Sequence, residues 1–287
     1  MSAPGQGYDG ACSPFAWRHR LLTADIQESN TQFHGAWRHF AVHSPQGEVV
    51  ETRELYIASA NAPWGIMNAA FLPSPVETEP ALERSVGAAV RYFTPRKQGW
   101  MFVVCEDWVA PSLRAKVPAV FEAQGLKLAM GTVGMVAEHL LPPVKPLPEI
   151  EVRHATDSEA LSHISDINAL AYFSPLEVAR QSVVVPALFQ GDCRGYVGFV
   201  EGKAVAVAAV VRVQGIAYVG YVATLADQRK RGYAETVMRH GLADAHRIWG
   251  TERTVLHATD AGHPTYLRMG YRDVTRFSFY MPVPPAP

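Results

Sequence analysis

YVGYVATLADQRKRGYA, residues 218–234, decides how this chain is read. Its first six residues are an apolar run of strand type. A polar turn follows, carrying Arg229, Lys230 and Arg231, then Gly232, Tyr233 and Ala234. Next, Ala234, Val237, Met238, Leu242, Ala245, Ile248 and Trp249 recur as the apolar stripe of a helix, and Gly250 stops it. Strand, basic glycine turn and helix, in that order, suit a phosphorylated ligand. The helix N-terminus offers unpaired N–H groups and the positive end of its dipole. Gly232 lets the backbone approach a pyrophosphate closely, the three cations add charge, and Ala234 keeps the first turn small. Alone, such a basic triplet is an ordinary solvated cluster; the flanking strand and helix favour the phosphate reading. No Gly-Lys-Ser/Thr closes a Walker loop, and only one of the three glycines of a Rossmann fingerprint is present.

The spacing Arg229-x-x-Gly232-x-Ala234 resembles the R/Q-x-x-G-x-G/A signature of the GCN5-related N-acetyltransferase (GNAT) family. A second motif, HPTYLRMGY at residues 263–271, resembles that family's x-x-L-Y-x-x-x-G-F run, with Thr265 for Leu and Tyr271 for Phe. The resemblance implies acetyl-CoA as co-substrate and no metal. It implies that the backbone of Val222, Ala223 and Thr224 holds the pantetheine and polarises the thioester. Arg229, Lys230, Arg231, Gly232, Tyr233 and Ala234 would hold the pyrophosphate, and Tyr266 would protonate the departing thiolate. A neutral phenol can donate that proton. One departure matters: several members carry a glutamate base early on the strand before the loop. Here that strand reads Ala217, Tyr218, Val219, Gly220, Tyr221, and Tyr218 takes the position. Tyr218 is therefore the second catalytic candidate. A water chain or a group from the first half are other sources of a base, and His257 lies on the next strand. Trp64 and Asn68 are candidates to line a pocket between the halves, with core packing the favoured role for Trp64.

The implied function is acetyl transfer from acetyl-CoA to the amine of a small molecule by direct attack on the thioester. The alternative is a non-catalytic acyl-CoA sensor or partner-binding module of the same fold. Tyr266 favours the enzyme, because a sensor needs no proton donor.

The 287 residues suggest about two domains, and 48% are hydrophobic, enough for two cores. A net charge of −1 gives no footprint for nucleic acid or an anionic membrane. The longest apolar run, residues 204–211, is far too short to span a bilayer. Cys12, Cys105 and Cys193 are scattered, which argues against a disulfide framework or zinc site and fits a cytoplasmic protein. The segment through Ser13 is polar, glycine-rich and expected to be mobile. Nothing in the sequence sets the oligomeric state.

Four prolines in residues 142–148 mark a stiff linker. The expected fold is α+β with a mixed sheet, as two tandem acyl-CoA N-acyltransferase-like domains. Residues 1–141 form a degenerate first half and residues 149–287 a catalytic second half. In the second half, strands are expected at 150–154, 196–200, 204–213, 216–223, 253–259 and 271–281. Thr156 and Glu159 suggest a capping box, helices are expected to about 172 and at 176–189, and the hairpin turns are Gly202-Lys203 and Gln214-Gly215. In the first half, 53–58, 66–72, 101–105 and 126–140 read as strands, and 113–123 and the stripe from Leu82 to Phe93 as helices. No element is assigned to residues 17–40. Setting Gly99 against Gly250 places Thr78-Glu79-Pro80-Ala81-Leu82-Glu83 opposite the basic loop, and Gly125 against Gly270 places Phe121 opposite Tyr266. Acids and a proline there would disfavour a pyrophosphate.

Overall fold

The computed structural model describes residues 14–96 and 98–283, with side chains from residue 24. Cys12 and the segment expected to be mobile lie outside these residues.

The unassigned aromatic and histidine-rich stretch is one long helix, α1 (Pro14–His43). The first half continues as β1 (Glu48–Glu51), β2 (Tyr56–Ser59), β3 (Asn68–Phe71), α2 (Glu79–Phe93), β4 (Met101–Cys105), α3 (Val117–Ala123) and β5 (Leu126–Ala137). The second half is β6 (Glu151–Ala155), α4 (Ser158–Ala171), α5 (Leu176–Val183), β7 (Cys193–Val200), β8 (Lys203–Val213), β9 (Ile216–Thr224), α6 (Tyr233–Trp249), β10 (Thr254–Ala258), α7 (His263–Met269) and β11 (Arg272–Pro282). Residues 142–148 carry no helix or strand.

Local chemistry explains where the elements depart from expectation. The strand expected at 53–58 begins only at Tyr56, because Thr52 Oγ1 accepts the N–H groups of Glu54 and Leu55 and makes a turn. Pro186 ends α5 early, and residues 186–189 form a 3-10 turn. The N-cap of α4 is Asp157, whose carboxylate accepts the Ala160 N–H at 2.9 Å, so Thr156 is not the cap. The first hairpin turns at Glu201-Gly202, with φ of 49° and 76°, and the second at Gln214-Gly215, with φ of 50° and 80°. Two consecutive positive φ values match the twist of the strands they join.

All eleven strands belong to one sheet, in the order β1-β2-β3-β4-β11-β5-β10-β9-β8-β7-β6. The two halves exchange their last strands. β5 lies between β11 and β10, and β11 lies between β4 and β5, antiparallel throughout. The proline linker therefore divides the chain, while the sheet runs on through both halves. On one face α2 and α3 cover the first half around Leu82, Val86 and Phe121, and α6 and α7 cover the second around Val237, Met238 and Met269. On the other face α1, α4 and α5 share a single core, with Phe33 in contact with Phe71, His257, Phe277 and Phe279. Arg253 also ties α1 to the second half, meeting Asp25 and Glu28 at 2.7 Å each and Glu138. No helix among the described residues is long and apolar enough to cross a membrane.

Candidate active site

β9 and β10 are parallel, and their pairing ends after Ala217–Thr254, Tyr218–Val255 and Val219–Leu256. β10 stays with β5 through His257 and Ala258. β9 instead bulges: Ala209 faces Gly220 and Val207 faces Ala223, which leaves Tyr221 and Val222 opposite Ala208. Tyr221 sits at φ 52°, a strained position for a bulky residue. Its hydroxyl donates to Met67 Sδ at 2.8 Å, its ring meets Phe40 edge-on, and its carbonyl accepts from Asn168 Nδ2 at 3.2 Å. Held in this way, the bulge opens a gap between the end of β9 and β10.

The main chain beside the gap alternates. Leu225 N–H donates to Val205 O at 3.0 Å, which turns Ala223 toward β8 and leaves Val222 and Thr224 facing the gap. Of the three residues expected to hold pantetheine, Val222 thus turns its main-chain groups to the gap and Thr224 its N–H, the Thr224 carbonyl accepting from Arg229; those of Ala223 are taken up by the sheet.

The basic loop follows directly. Lys230 has φ 64° and Gly232, the N-cap of α6, φ 86°. No side chain caps this helix, and its first internal bond runs from Thr236 N–H to Gly232 O. The N–H groups of Tyr233, Ala234 and Glu235 are left for a ligand. A Cβ at Gly232 would stand 3.0 Å from Pro148 Cδ, in the linker. Arg229, Lys230 and Arg231 are exposed, and no described carboxylate pairs with them. Arg229 Nε donates to Thr224 O at 3.3 Å, which folds the loop back over the strand end. The Tyr233 ring is buried in the core, so Tyr233 can contribute only its main chain. Uncapped N–H groups, a left-handed glycine and unpaired cations fit the pyrophosphate of a CoA thioester.

Tyr266 lies on α7, 8% exposed, with its ring over Gly262, where a Cβ would come within 2.9 Å of it. Burial pushes its phenol up, and the nearby phenols of Tyr172 and Tyr271 add to the shift. It is a neutral donor at physiological pH.

Tyr218 is not placed to act as a base. Its side chain turns to α1 and is 3% exposed, and its hydroxyl lies 3.1 Å from His257 Nδ1. His257 Nε2 lies 3.2 Å from Ser29 Oγ, and Phe33 stacks on the imidazole at 4.1 Å. Burial, then His34, holds His257 down at about 3, and burial pushes the Tyr218 phenol up. The three groups form a closed, uncharged chain beneath α1. Trp64 and Asn68 are buried. Trp64 donates to Ser174 Oγ at 3.0 Å and Ser182 Oγ at 2.9 Å, and Asn68 donates to Ala62 O and Gly99 O at 2.8 Å each. A cleft of about 660 Å³ lined by Glu138, Arg239, His246 and Arg253 lies along the far part of α6, away from Gly232. Among the described residues no group of three or more His, Cys, Asp or Glu could hold a metal ion.

Sequence reasoning missed the bulge and its supports, Asn168, Met67 and Phe40. The signal for Asn168 was an amide on the apolar stripe of α4; nothing local pointed to Met67 or Phe40.

No curated protein matches the chain. Among solved structures, a GCN5-related N-acetyltransferase from Kribbella flavida is 18% identical, with a TM-score of 0.65, covering 91% of this chain and 96% of its own. A functionally unknown conserved protein from Staphylococcus epidermidis is 12% identical, with a TM-score of 0.59, covering 82% and 93%. A putative acetyltransferase of the GNAT family from Novosphingobium aromaticivorans is 18% identical, with a TM-score of 0.50, covering 84% and 94%. These likenesses are of fold. The model of the acetyltransferase (GNAT) family matches residues 161–271, which hold the bulge, the gap, the basic loop and Tyr266. The chain holds an acetyltransferase (GNAT) family domain at residues 161–271.

Proposed function

We propose that the protein transfers an acetyl group from acetyl-CoA to the amine of a small molecule, at one site in the second half. The observation that carries this reading is the gap at the end of β9 with the uncapped α6 N-terminus following it, Tyr266 being buried in the core that α6 and α7 share.

Acetyl-CoA supplies the acetyl group as an activated thioester. The N–H groups at the start of α6, with Arg229, Lys230 and Arg231, bind the pyrophosphate. Val222 and Thr224 bond the pantetheine through their main chain, as an added strand would. A main-chain N–H directed at the thioester carbonyl stabilises negative charge as it develops on that oxygen. The amine nitrogen attacks the carbonyl carbon, an N–C bond forms and the C–S bond breaks. Tyr266 donates its hydroxyl proton to the departing sulfur, and the amine releases its own proton to water. No carboxylate stands on β9 between Ala217 and Tyr221, and this reading takes the amine as arriving neutral from solvent.

The test is release of free CoA thiol on mixing acetyl-CoA with a panel of amines, amino acids and aminoglycosides. The reading requires acceptor-dependent release and an N-acetylated product by mass. A protein that binds acetyl-CoA and releases no thiol with any acceptor would be a sensor.

A further inference from the structure

The cleft away from the active site is built by the last turns of α6, the first residues of β10 and the chain that leaves β5. Its volume, about 660 Å³, is that of a small-molecule pocket. Arg239 and His246 in its wall stand about 9 and 20 Å down the α6 axis from Tyr233, so the cleft is separate from the uncapped end of that helix.

Two polar groups in the wall are unused by the fold. Thr251 is 4% exposed, and its hydroxyl has no partner among the described residues, although its carbonyl accepts from His246 Nδ1 at 3.2 Å. A buried hydroxyl without a partner costs stability that a valine of the same shape would not. Arg239 is largely buried and donates only through Nε, to Glu235 Oε1 at 2.9 Å. Its Nη2 lies 2.8 Å from the same oxygen but is not aimed at it, and Nη1 has no acceptor among the described residues. Glu235 itself lies outside the cleft wall. The open edge of a guanidinium, with a hydroxyl in the same wall, suits a carboxylate.

The remaining charges narrow the ligand further. Arg253 is engaged by Asp25, Glu28 and Glu138. Glu252 is exposed, and no described cation pairs with it. One cation edge and one carboxylate are thus left open in a wall that also carries Leu140, Leu242 and Ala243. A ligand with a single charge would meet a like charge as well as an opposite one. A zwitterion with an apolar body answers both charges and covers the leucines.

We propose that this cleft is a second binding site, for an α-amino acid with a large apolar side chain. Arg239 and Thr251 take its carboxylate, Glu252 its ammonium, and Leu140 and Leu242 its side chain. The site goes beyond the acetyl-transfer reading and does not depend on it.

The test titrates L-phenylalanine into the full chain by calorimetry, in wild type, Thr251→Val and Arg239→Gln. The comparators are 3-phenylpropionate and 2-phenylethylamine, each of which lacks one charge. We expect one L-phenylalanine per chain, at least tenfold weaker binding of both comparators, and about a tenfold loss of affinity in each variant. Thr251→Val should keep or raise the thermal unfolding temperature, so that its lost binding is not a lost fold. The proposal is overturned if L-phenylalanine does not bind, if either comparator binds as tightly, or if Thr251→Val binds it like wild type. An affinity that Gly232→Val lowers and Thr251→Val does not would place the amino acid at the gap and overturn it as well. Failure of acetyl-CoA to bind counts against the acetyl-transfer reading alone.

Discussion

β3–β4 and β9–β10 are the same parallel pair built on either side of the exchanged strands. In the first half Ala69, Ala70 and Phe71 pair with Met101, Phe102 and Val103, and contact then resumes at Val76. Val76 N–H donates to Trp108 O at 2.7 Å, and Ala110 N–H donates to Val76 O at 2.9 Å. The second pair stops at Val219–Leu256 and stays apart. Both halves have the sheet and the helix behind it; in the first the two strands meet again at Val76, and in the second they do not. The side-chain faces also refine the repeat. Val103 and Cys105 turn to α1, as Val255 and His257 do, so the strands match at an offset of one more residue than the glycines suggest. Phe71 then stands for Tyr218, each near Phe33. On α2, Ser85, Val86, Ala89 and Phe93 match the buried Val237, Met238, Gly241 and Ala245, and Pro80 takes the place of Gly232. Near that helix start Glu79 is paired with Lys116, and Phe121 is stacked on Tyr280 at 3.8 Å, where the second half has its basic loop and Tyr266. The first half keeps the packing and has a proline and acids where the second half has a glycine and bases.

The largest effect should come from making the second half more like the first at Tyr266. Tyr266→Phe removes a hydroxyl and keeps the ring over Gly262, so the fold and acetyl-CoA affinity should hold. Turnover should fall by roughly a hundred- to ten-thousandfold, the usual cost of losing a general acid, and mainly in kcat. Full activity with the true acceptor would make Tyr266 a packing residue like Phe121. A smaller effect is expected from Gly232→Val. A β-branched residue at φ 86°, pressed on Pro148, costs about 1–2 kcal/mol in backbone strain and moves the N–H groups off the ligand. The acetyl-CoA Kd should rise by about tenfold or more. The change in thermal unfolding temperature should be modest, since the loop is exposed. An unchanged Kd would take the loop out of the site.

The second half was legible in its sequence because its signals are local. A β-strand ending in a basic turn, a glycine before an amphipathic helix, and Tyr266 four residues before Gly270 are each read within one element. What stayed hidden depends on residues far apart. β5 and β11 look like ordinary closing strands, and nothing in either shows that each completes the other half. The bulge at Tyr221 is fixed by Met67, Phe40 and Asn168, which lie 154, 181 and 53 residues away. Tyr218 was misread for a similar reason: its position on the strand matches a catalytic one, but α1 lies over it, and α1 had no assignment. Among the described residues, Phe33, His34, His39 and Phe40, which obscured that helix, are packed against the two halves.

Titration of the full chain with acetyl-CoA by calorimetry tests the difference between the halves most directly. One site per chain is expected, with that site weakened by Gly232→Val and untouched by Glu79→Ala. Two equivalent sites, or a single site that Glu79→Ala alters and Gly232→Val does not, would mean that the gap and basic loop of the second half do not hold the cofactor.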